Sequence, residues 1–127
     1  MNTLYLVLGA GLLLLFYLRF IKGGANIPSL SGEEFLDDLK ENDGVLVDVR
    51  SPAEYAAGHI EGAQNLDFFS RQFKVRAEKL PKEKAIYVYC KSGTRSNMAA
   101  KALQKLGFER VINLAGGTMG WRGELVK

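Results

Sequence analysis

The segment Ala85–Ser96 has the sequence AIYVYC followed by KSGTRS, and it dictates the architecture of the chain. Its first half is an unbroken run of apolar, β-branched and aromatic residues, which predicts a strand in the interior of a parallel sheet. Its second half is small, polar and cationic, and it leads into a helix that begins at Thr94 or Arg95. We therefore expect Cys90 at the point where a strand gives way to a tight loop and a helix.

The same alternation of strands and helices continues on both sides of this segment. Strand-like runs cover 45–49, 63–66 and 111–114, and helical patterns cover 31–42, 68–80, 94–106 and a short segment after Gly116-Gly117. Ser31-Gly32-Glu33-Glu34 and Ser51-Pro52-Ala53-Glu54 each predict a helix start with a capping box. Strands that alternate with helices predict an α/β fold, in which helices cover both faces of a parallel sheet.

The N-terminal residues predict a membrane anchor. Residues 1–22 are expected to form one transmembrane helix, 23–26 a linker and 27–127 the folded domain. The apolar span 4–21, which would lie in the lipid bilayer, reaches about 27 Å as a helix, close to a ~30 Å hydrocarbon core. Arg19 and Lys22 follow the apolar run, so the positive-inside rule predicts a single-pass membrane protein with its folded domain on the cytoplasmic side. The alternative is a cleaved secretory signal and an exported domain.

Composition narrows the classes of function further. The chain has 127 residues, which is the size of one domain, and a formal net charge of +3 to which Arg19 and Lys22 contribute. Without a concentrated basic face we expect no nucleic-acid partner, and we assign residues 71–84, the most basic stretch, to a solvated face, with contact to anionic lipid as the alternative. One cysteine and one histidine exclude an internal disulfide and a structural zinc site.

Cys90 is the candidate nucleophile. The carboxyl end of a strand is where open α/β sheets bind ligands. Gly93 allows the loop to turn its backbone amides inward, and the start of the following helix adds partial positive charge. Together with Lys91 and Arg95, these groups favour thiolate over thiol. The alternative is a buried cysteine that acts as a small apolar side chain, but small polar residues and two cations follow Cys90 directly.

Several motifs in this order resemble the rhodanese-like sulfurtransferases. They are Leu46-Val47-Asp48-Val49-Arg50 with Glu54-Tyr55, Gly58-His59-Ile60-Glu61-Gly62-Ala63 with Asn65, the Cys90–Ser96 loop, and Leu114-Ala115-Gly116-Gly117 with Trp121. The resemblance implies a five-stranded parallel sheet and a catalytic Cys90 that carries sulfur as a persulfide. It implies that the loop binds the substrate, through Lys91, Ser92, Gly93, Thr94, Arg95 and Ser96.

The resemblance also implies the reaction partners. The donor would be a small anion such as thiosulfate, and the acceptor would be cyanide or a thiol, for example that of a small redox protein. Double displacement through one sulfur nucleophile needs neither a metal nor an organic cofactor. Lys91 stands where members of the family that use thiosulfate often have arginine, which leaves the donor preference open.

Two other functions are weighed against this one. A non-catalytic rhodanese-like module would bind a membrane partner or carry sulfur to it, although such modules usually lack the cysteine. Cysteine-dependent phosphatases and arsenate reductases have a Cys-x5-Arg motif, in which five residues separate the cysteine from the arginine. In this chain only four residues separate Cys90 from Arg95. The shorter loop makes a tighter bowl, which favours a sulfur atom over a tetrahedral oxyanion.

Three polar residues are predicted to support the site. Asp48 and Arg50 end a strand at the same edge of the sheet as Cys90, and they either orient the active loop or, as we favour, pair with each other and cap neighbouring backbone. His59 is predicted to fix a turn by hydrogen bonding rather than to act as a general base. Trp121 is assigned to packing, with a place at the pocket mouth as the alternative.

Overall fold

Five parallel strands form one sheet with helices on both sides. The computed structural model describes residues 2–127, apart from the side chains of 18–25. Along the chain the elements are α1 (Asn2–Ala25), β1 (Ser29–Leu30), α2 (Gly32–Glu41), β2 (Val45–Asp48), α3 (Pro52–Ala57), β3 (Gln64–Asn65), α4 (Phe73–Ala77), β4 (Ile86–Tyr89), α5 (Thr94–Lys105), β5 (Val111–Leu114) and a short 3-10 helix (Gly117–Gly120).

The strand order is β1-β5-β4-β2-β3, so β4 lies at the centre of the sheet. β4 pairs in parallel with β2 on one side and with β5 on the other. The predicted α/β class and the five-stranded parallel sheet are therefore confirmed. The strand order brings the carboxyl ends of β2, β4 and β5 to one edge, although these strands are far apart in the sequence.

Alternation along β4 divides its side chains between two apolar cores, because successive residues of a strand point to opposite faces. Ile86, Val88 and Cys90 belong to the core that contains α4 and α5 side chains. Tyr87 and Tyr89 belong to the opposite core, which contains Phe35 of α2. The central strand is thus buried on both faces, as its run of apolar and aromatic residues predicts.

The structure differs from the sequence-based predictions in three local details. β1 was not predicted, since a two-residue strand has no readable period and is defined by its pairing with β5. The helix predicted over 68–80 is limited to α4, because the side chains of Asp67 and Ser70 accept backbone hydrogen bonds and form turns before it. Ser51 and Glu54 form their predicted capping box, whereas Ser31 makes no side-chain cap.

The N-terminal prediction is not supported. No helix in the part of the chain that the structure describes has both the length and the apolar character needed to cross a membrane. The side chains of 18–21, at the end of the predicted span, lie outside the described residues, as does the whole of Met1. α1 continues through Ala25, across most of the predicted linker, and the domain boundaries stay predictions.

Candidate active site

Cys90 lies directly after β4, at the carboxyl edge of the sheet. Its side chain is 1% exposed and contacts the core that contains Val88. Its Sγ, however, accepts hydrogen bonds from the Gly93 backbone N–H at 3.0 Å and from the Ser96 hydroxyl at 3.3 Å. The sulfur is therefore hydrogen-bonded to the loop that follows it and to the first turn of α5.

These hydrogen bonds change the acidity of the thiol. Burial raises the pKa of Cys90, but hydrogen bonds from the Ser96 side chain and from the backbone N–H groups of Ser92, Gly93 and Ser96 outweigh it. The pKa of Cys90 therefore lies below its ordinary value. Hydrogen bonds to the charged form are the cause, since an anionic sulfur accepts them more strongly than a neutral one. This agrees with the prediction that inward-facing amides favour the thiolate.

Gly93 gives the loop its shape. It is the N-cap of α5 and adopts a left-handed conformation with φ of 102°. Glycine adopts this conformation without the steric cost that a side chain would add. The turn directs the Gly93 N–H toward Cys90, and the first turn of the twelve-residue α5 adds the partial positive charge of a helix start. Thr94 begins this helix and is exposed.

A second backbone segment holds the loop from outside. The N–H of Thr118 donates to the carbonyl oxygen of Cys90 at 2.9 Å, and the N–H of Met119 donates to that of Lys91 at 3.0 Å. A Cβ on Gly117 would lie 2.5 Å from the Lys91 carbonyl oxygen and closer still to that of Cys90. The sequence predicts a short helical segment after Gly116-Gly117 but not this role, for which the paired glycines were the available signal.

Arg95 does not face the site as an unpaired cation. Its guanidinium forms an ion pair with Glu54, with Nη1 2.8 Å from Oε1, and lies 5.9 Å from the centre of the Phe69 ring. The Arg95 guanidinium holds the pKa of the Glu54 carboxyl at about 2, assisted by hydrogen bonds from Ser51 and opposed by burial. Part of the positive charge predicted to attract an anionic donor is therefore neutralised.

Lys91 keeps its charge available. Its side chain is exposed, and it has no ion pair among the residues that the structure describes. It directly follows the nucleophile candidate in the chain. Of the two predicted donor-binding cations, Lys91 is the one whose charge is not offset by a carboxylate.

Asp48 and Arg50 pair with each other. Arg50 Nη2 lies 2.7 Å from Asp48 Oδ2, and both side chains are buried. The same Nη2 donates to the carbonyl oxygen of Gly58 at 2.6 Å. These contacts join the end of β2 to the loop before Ile60, which supports the structural role that the sequence analysis favoured.

His59 also makes structural contacts. Its Nδ1 lies 2.9 Å from the Tyr55 carbonyl oxygen, and its ring stacks on the Tyr55 ring with centroids 3.7 Å apart. Its backbone exchanges two hydrogen bonds of 2.8 Å with Val126. The contacts support the predicted turn-fixing role. In the described part of the chain, no three His, Cys, Asp or Glu side chains are grouped so that they could hold a metal ion.

Trp121 and Asn113 have contrasting positions. Trp121 packs against the core that contains Phe35, on the face of the sheet away from Cys90, as expected for a packing residue. Asn113 was not singled out from the sequence, yet its Oδ1 lies 2.5 Å from the hydroxyl oxygen of Ser96. The Ser96 hydroxyl is one of the groups that contact the Cys90 sulfur. The available signal was a polar residue within the apolar strand 111–114.

Comparisons with known proteins agree on one family. The family model for the rhodanese-like domain matches residues 31–124 of this chain. A sulfurtransferase from Allochromatium vinosum is 40% identical over 96 residues, covering 75% of this chain and 88% of that protein. YrkF, a provisional sulfur carrier protein of Bacillus subtilis, is 34% identical over 104 residues, but the match covers 81% of this chain and only 55% of YrkF. A rhodanese-like domain protein from Staphylococcus aureus has a TM-score of 0.68 at 27% identity, covering 80% of this chain and 99% of that structure.

Proposed function

Since this chain belongs to the rhodanese-like domain family, with sulfurtransferases among its relatives, we propose that it transfers sulfane sulfur through a persulfide on Cys90. The observation that carries the proposal is the pair of hydrogen bonds from Gly93 N–H and the Ser96 hydroxyl to Cys90 Sγ. They favour an ionised sulfur at the start of α5. An ionised thiol is the nucleophilic form of cysteine.

The proposed reaction has two displacements. The Cys90 thiolate attacks the outer sulfur of thiosulfate, a sulfur–sulfur bond forms, and sulfite leaves with the electron pair of the broken bond. In the second step an acceptor thiolate or cyanide attacks the outer sulfur of the persulfide, and Cys90 leaves as a thiolate. Each step breaks one bond to sulfur and forms one, so no external oxidant or reductant is consumed. The backbone N–H groups of the loop stabilise the negative charge on sulfur in both steps.

Thiosulfate is proposed as the donor because the positive charge at the carboxyl edge of the sheet, beside Cys90, attracts a small dianion. The exposed Lys91 and the amides of the loop are the groups that would bind it. Lysine offers a single charged point rather than the planar two-point contact of arginine. We therefore expect thiosulfate to be used with a high KM.

The test uses the full chain and intact-protein mass. Incubation with thiosulfate should add one sulfur atom to Cys90, and later addition of cyanide should remove it as thiocyanate. Cys90 is the sole cysteine, so Cys90→Ser leaves no other thiol to accept sulfur and is the direct control. Sulfur uptake or thiocyanate production by Cys90→Ser would refute the assignment of the nucleophile.

A sulfur-carrier role is the second candidate, and it is favoured by the similarity to YrkF, a relative whose name describes a sulfur carrier protein. A carrier would accept sulfur from a protein persulfide but would not be loaded by thiosulfate. The same mass measurement, with the two donors supplied separately, distinguishes the two roles.

The location of the protein stays a prediction drawn from residues 1–22. The sequence predicts a domain at the cytoplasmic face of a membrane or, as the alternative, an exported domain after signal cleavage. Carbonate extraction of cell membranes, combined with the mass of the recovered chain, tests both. Release of an uncleaved chain into the soluble fraction would contradict both predictions.

A further inference from the structure

The Ser96 hydroxyl has one hydrogen and three acceptors within reach. Its oxygen lies 2.5 Å from Asn113 Oδ1, 3.2 Å from the Gly93 carbonyl oxygen and 3.3 Å from Cys90 Sγ. Ser96, Asn113 and Cys90 are all buried. A hydroxyl donates one hydrogen bond at a time. The sulfur of Cys90 and the amide oxygen of Asn113 therefore compete for the same hydrogen.

The contacts of Asn113 define which of its atoms faces Ser96. Its Nδ2 lies 3.3 Å from the Gly93 carbonyl oxygen and 3.4 Å from the Ser29 hydroxyl, and both of these accept hydrogen bonds. Turning the amide over would place Oδ1 against the Gly93 carbonyl oxygen with no hydrogen between the two. In the short contact with Ser96, the hydroxyl is therefore the donor and Asn113 Oδ1 the acceptor.

We propose that Asn113 is a positioning residue that shares the Ser96 hydroxyl hydrogen with Cys90 during sulfur transfer. When the sulfur is a neutral thiol or carries a second sulfur, the hydroxyl donates to Asn113. When the sulfur is a thiolate, its charge attracts the hydrogen, since a charged acceptor makes the stronger hydrogen bond. The hydroxyl rotates and no covalent bond breaks. This inference rests on the function proposed above and adds to it a residue of β5.

The competition has a direct consequence for the ionisation of Cys90. Moving the hydrogen to the thiolate breaks the bond to Asn113, so Asn113 limits how far Ser96 stabilises the charged sulfur. The charged groups nearby are Arg95 of α5, which is paired with Glu54 of α3, and Lys91 in the loop. The side chains that β2, β4 and α4 contribute to the core around Cys90 are apolar. Because substitution of Asn113 alters none of these charges, a changed titration reports on the hydroxyl.

The test is a pH titration of the ultraviolet absorbance of the thiolate in the full chain, where Cys90 is the only contributor among cysteines. Asn113→Leu removes the nearer of the two oxygens that compete with the sulfur, at similar size, and leaves the Gly93 carbonyl oxygen at 3.2 Å, so the Cys90 titration midpoint should fall by about half a pH unit. Ser96→Ala removes the donor, and the midpoint should rise by about one pH unit. The double variant should titrate like Ser96→Ala, because Asn113 acts through the hydroxyl.

A purely structural role for Asn113 gives a different pattern. A loosened loop would raise the midpoint in Asn113→Leu, and it would do so equally in the Ser96→Ala background; either result overturns the proposal. Trp121 fluorescence during unfolding verifies that each variant is folded, and Asn113→Val, which suits a strand, replaces the leucine variant if that does not fold. The titration requires no sulfur donor, so it gives its answer even if the proposed sulfur transfer fails.

Discussion

Glu54 in the first turn of α3 and Arg95 in the first turn of α5 form an ion pair, with Arg95 Nη1 2.8 Å from Glu54 Oε1. The pair joins the helices that follow β2 and β4, the two neighbouring strands at the centre of the candidate site. It also places the Glu54 carboxylate beside Arg95, a cation that was predicted to bind the anionic donor. Arg95 therefore joins the two helices that border the site, and Lys91 supplies the unpaired positive charge.

Glu54→Gln should lower stability in a pH-dependent way. The pKa of Glu54 falls from 4.5 to about 2 in the folded protein, so its contribution is fully present above pH 4.5 and is lost as the pH falls toward 2. The pair is partly solvated, so we expect a loss of about 1 kcal/mol near neutral pH. Urea unfolding of both proteins from neutral to acidic pH measures the difference, which should shrink on acidification.

The control for this prediction is Glu61→Gln. Glu61 is exposed and has no ion pair among the described residues. Its substitution should leave stability nearly unchanged at every pH. A Glu54→Gln effect that stayed constant down to low pH would contradict the proposed electrostatic origin.

Gly117→Ala should disrupt the Cys90 loop. The added Cβ would overlap the carbonyl groups of Cys90 and Lys91, and the left-handed φ of 56° adds strain. We expect a loss of stability of about 3 kcal/mol and at least a tenfold slower sulfur uptake. Chemical denaturation and the rate of persulfide formation by mass measure the two effects.

Gly62→Ala is a matched control for Gly117→Ala. Gly62 also has a left-handed conformation, with φ of 88°, but no atom lies within 4 Å of the Cβ that would be added. It should cost only about 1 kcal/mol from strain and leave sulfur uptake unchanged. Equal losses in the two variants would show that the Gly117 contact has no particular role.

Asp48→Asn should destabilise the fold without changing the acidity of Cys90. It leaves the buried Arg50 without its anionic partner, which costs about 3 kcal/mol. The same substitution at Asp43, whose pair with Lys84 is exposed, should cost less than about 1 kcal/mol. Urea unfolding compares the two variants. A large shift in the thiolate titration of Asp48→Asn would instead assign the pair to loop orientation.

Lys91→Ala should weaken the binding of thiosulfate more than it slows the transfer of sulfur to the acceptor. Removing an exposed charge beside the loop should raise the KM for thiosulfate roughly fivefold, with a smaller effect at high salt. Lys91→Arg should lower the KM, since a guanidinium binds an oxyanion at two points. Steady-state thiocyanate formation measures both. Lys101→Ala, on an exposed position of α5, removes the same charge elsewhere and should have no effect.

The features that the sequence predicted correctly depend on short-range patterns. The run Ile86–Tyr89 indicates a buried strand because every residue is apolar or aromatic, and Ser51 with Glu54 indicates a helix start because the two cap each other within one turn. The same pattern at Ser31 produces a helix without the side-chain cap, so it predicts the element but not the contact. Cys90 at the end of β4 follows from these patterns, since the strand and helix boundaries on both sides are readable.

The tertiary structure alone decided which distant groups surround the sulfur. Arg95 pairs with Glu54, which lies 41 residues away in the chain. Ser96 contacts Asn113, which lies 17 residues away. The hydrogen bonds from the Gly117–Gly120 turn to the Cys90 loop are likewise long-range. Strand order and register determine these contacts, and both arise when the whole sheet packs, so no local run of residues encodes them. The sequence by itself determined that Cys90 stands between a buried strand and a helix start, and packing determined its electrostatic surroundings.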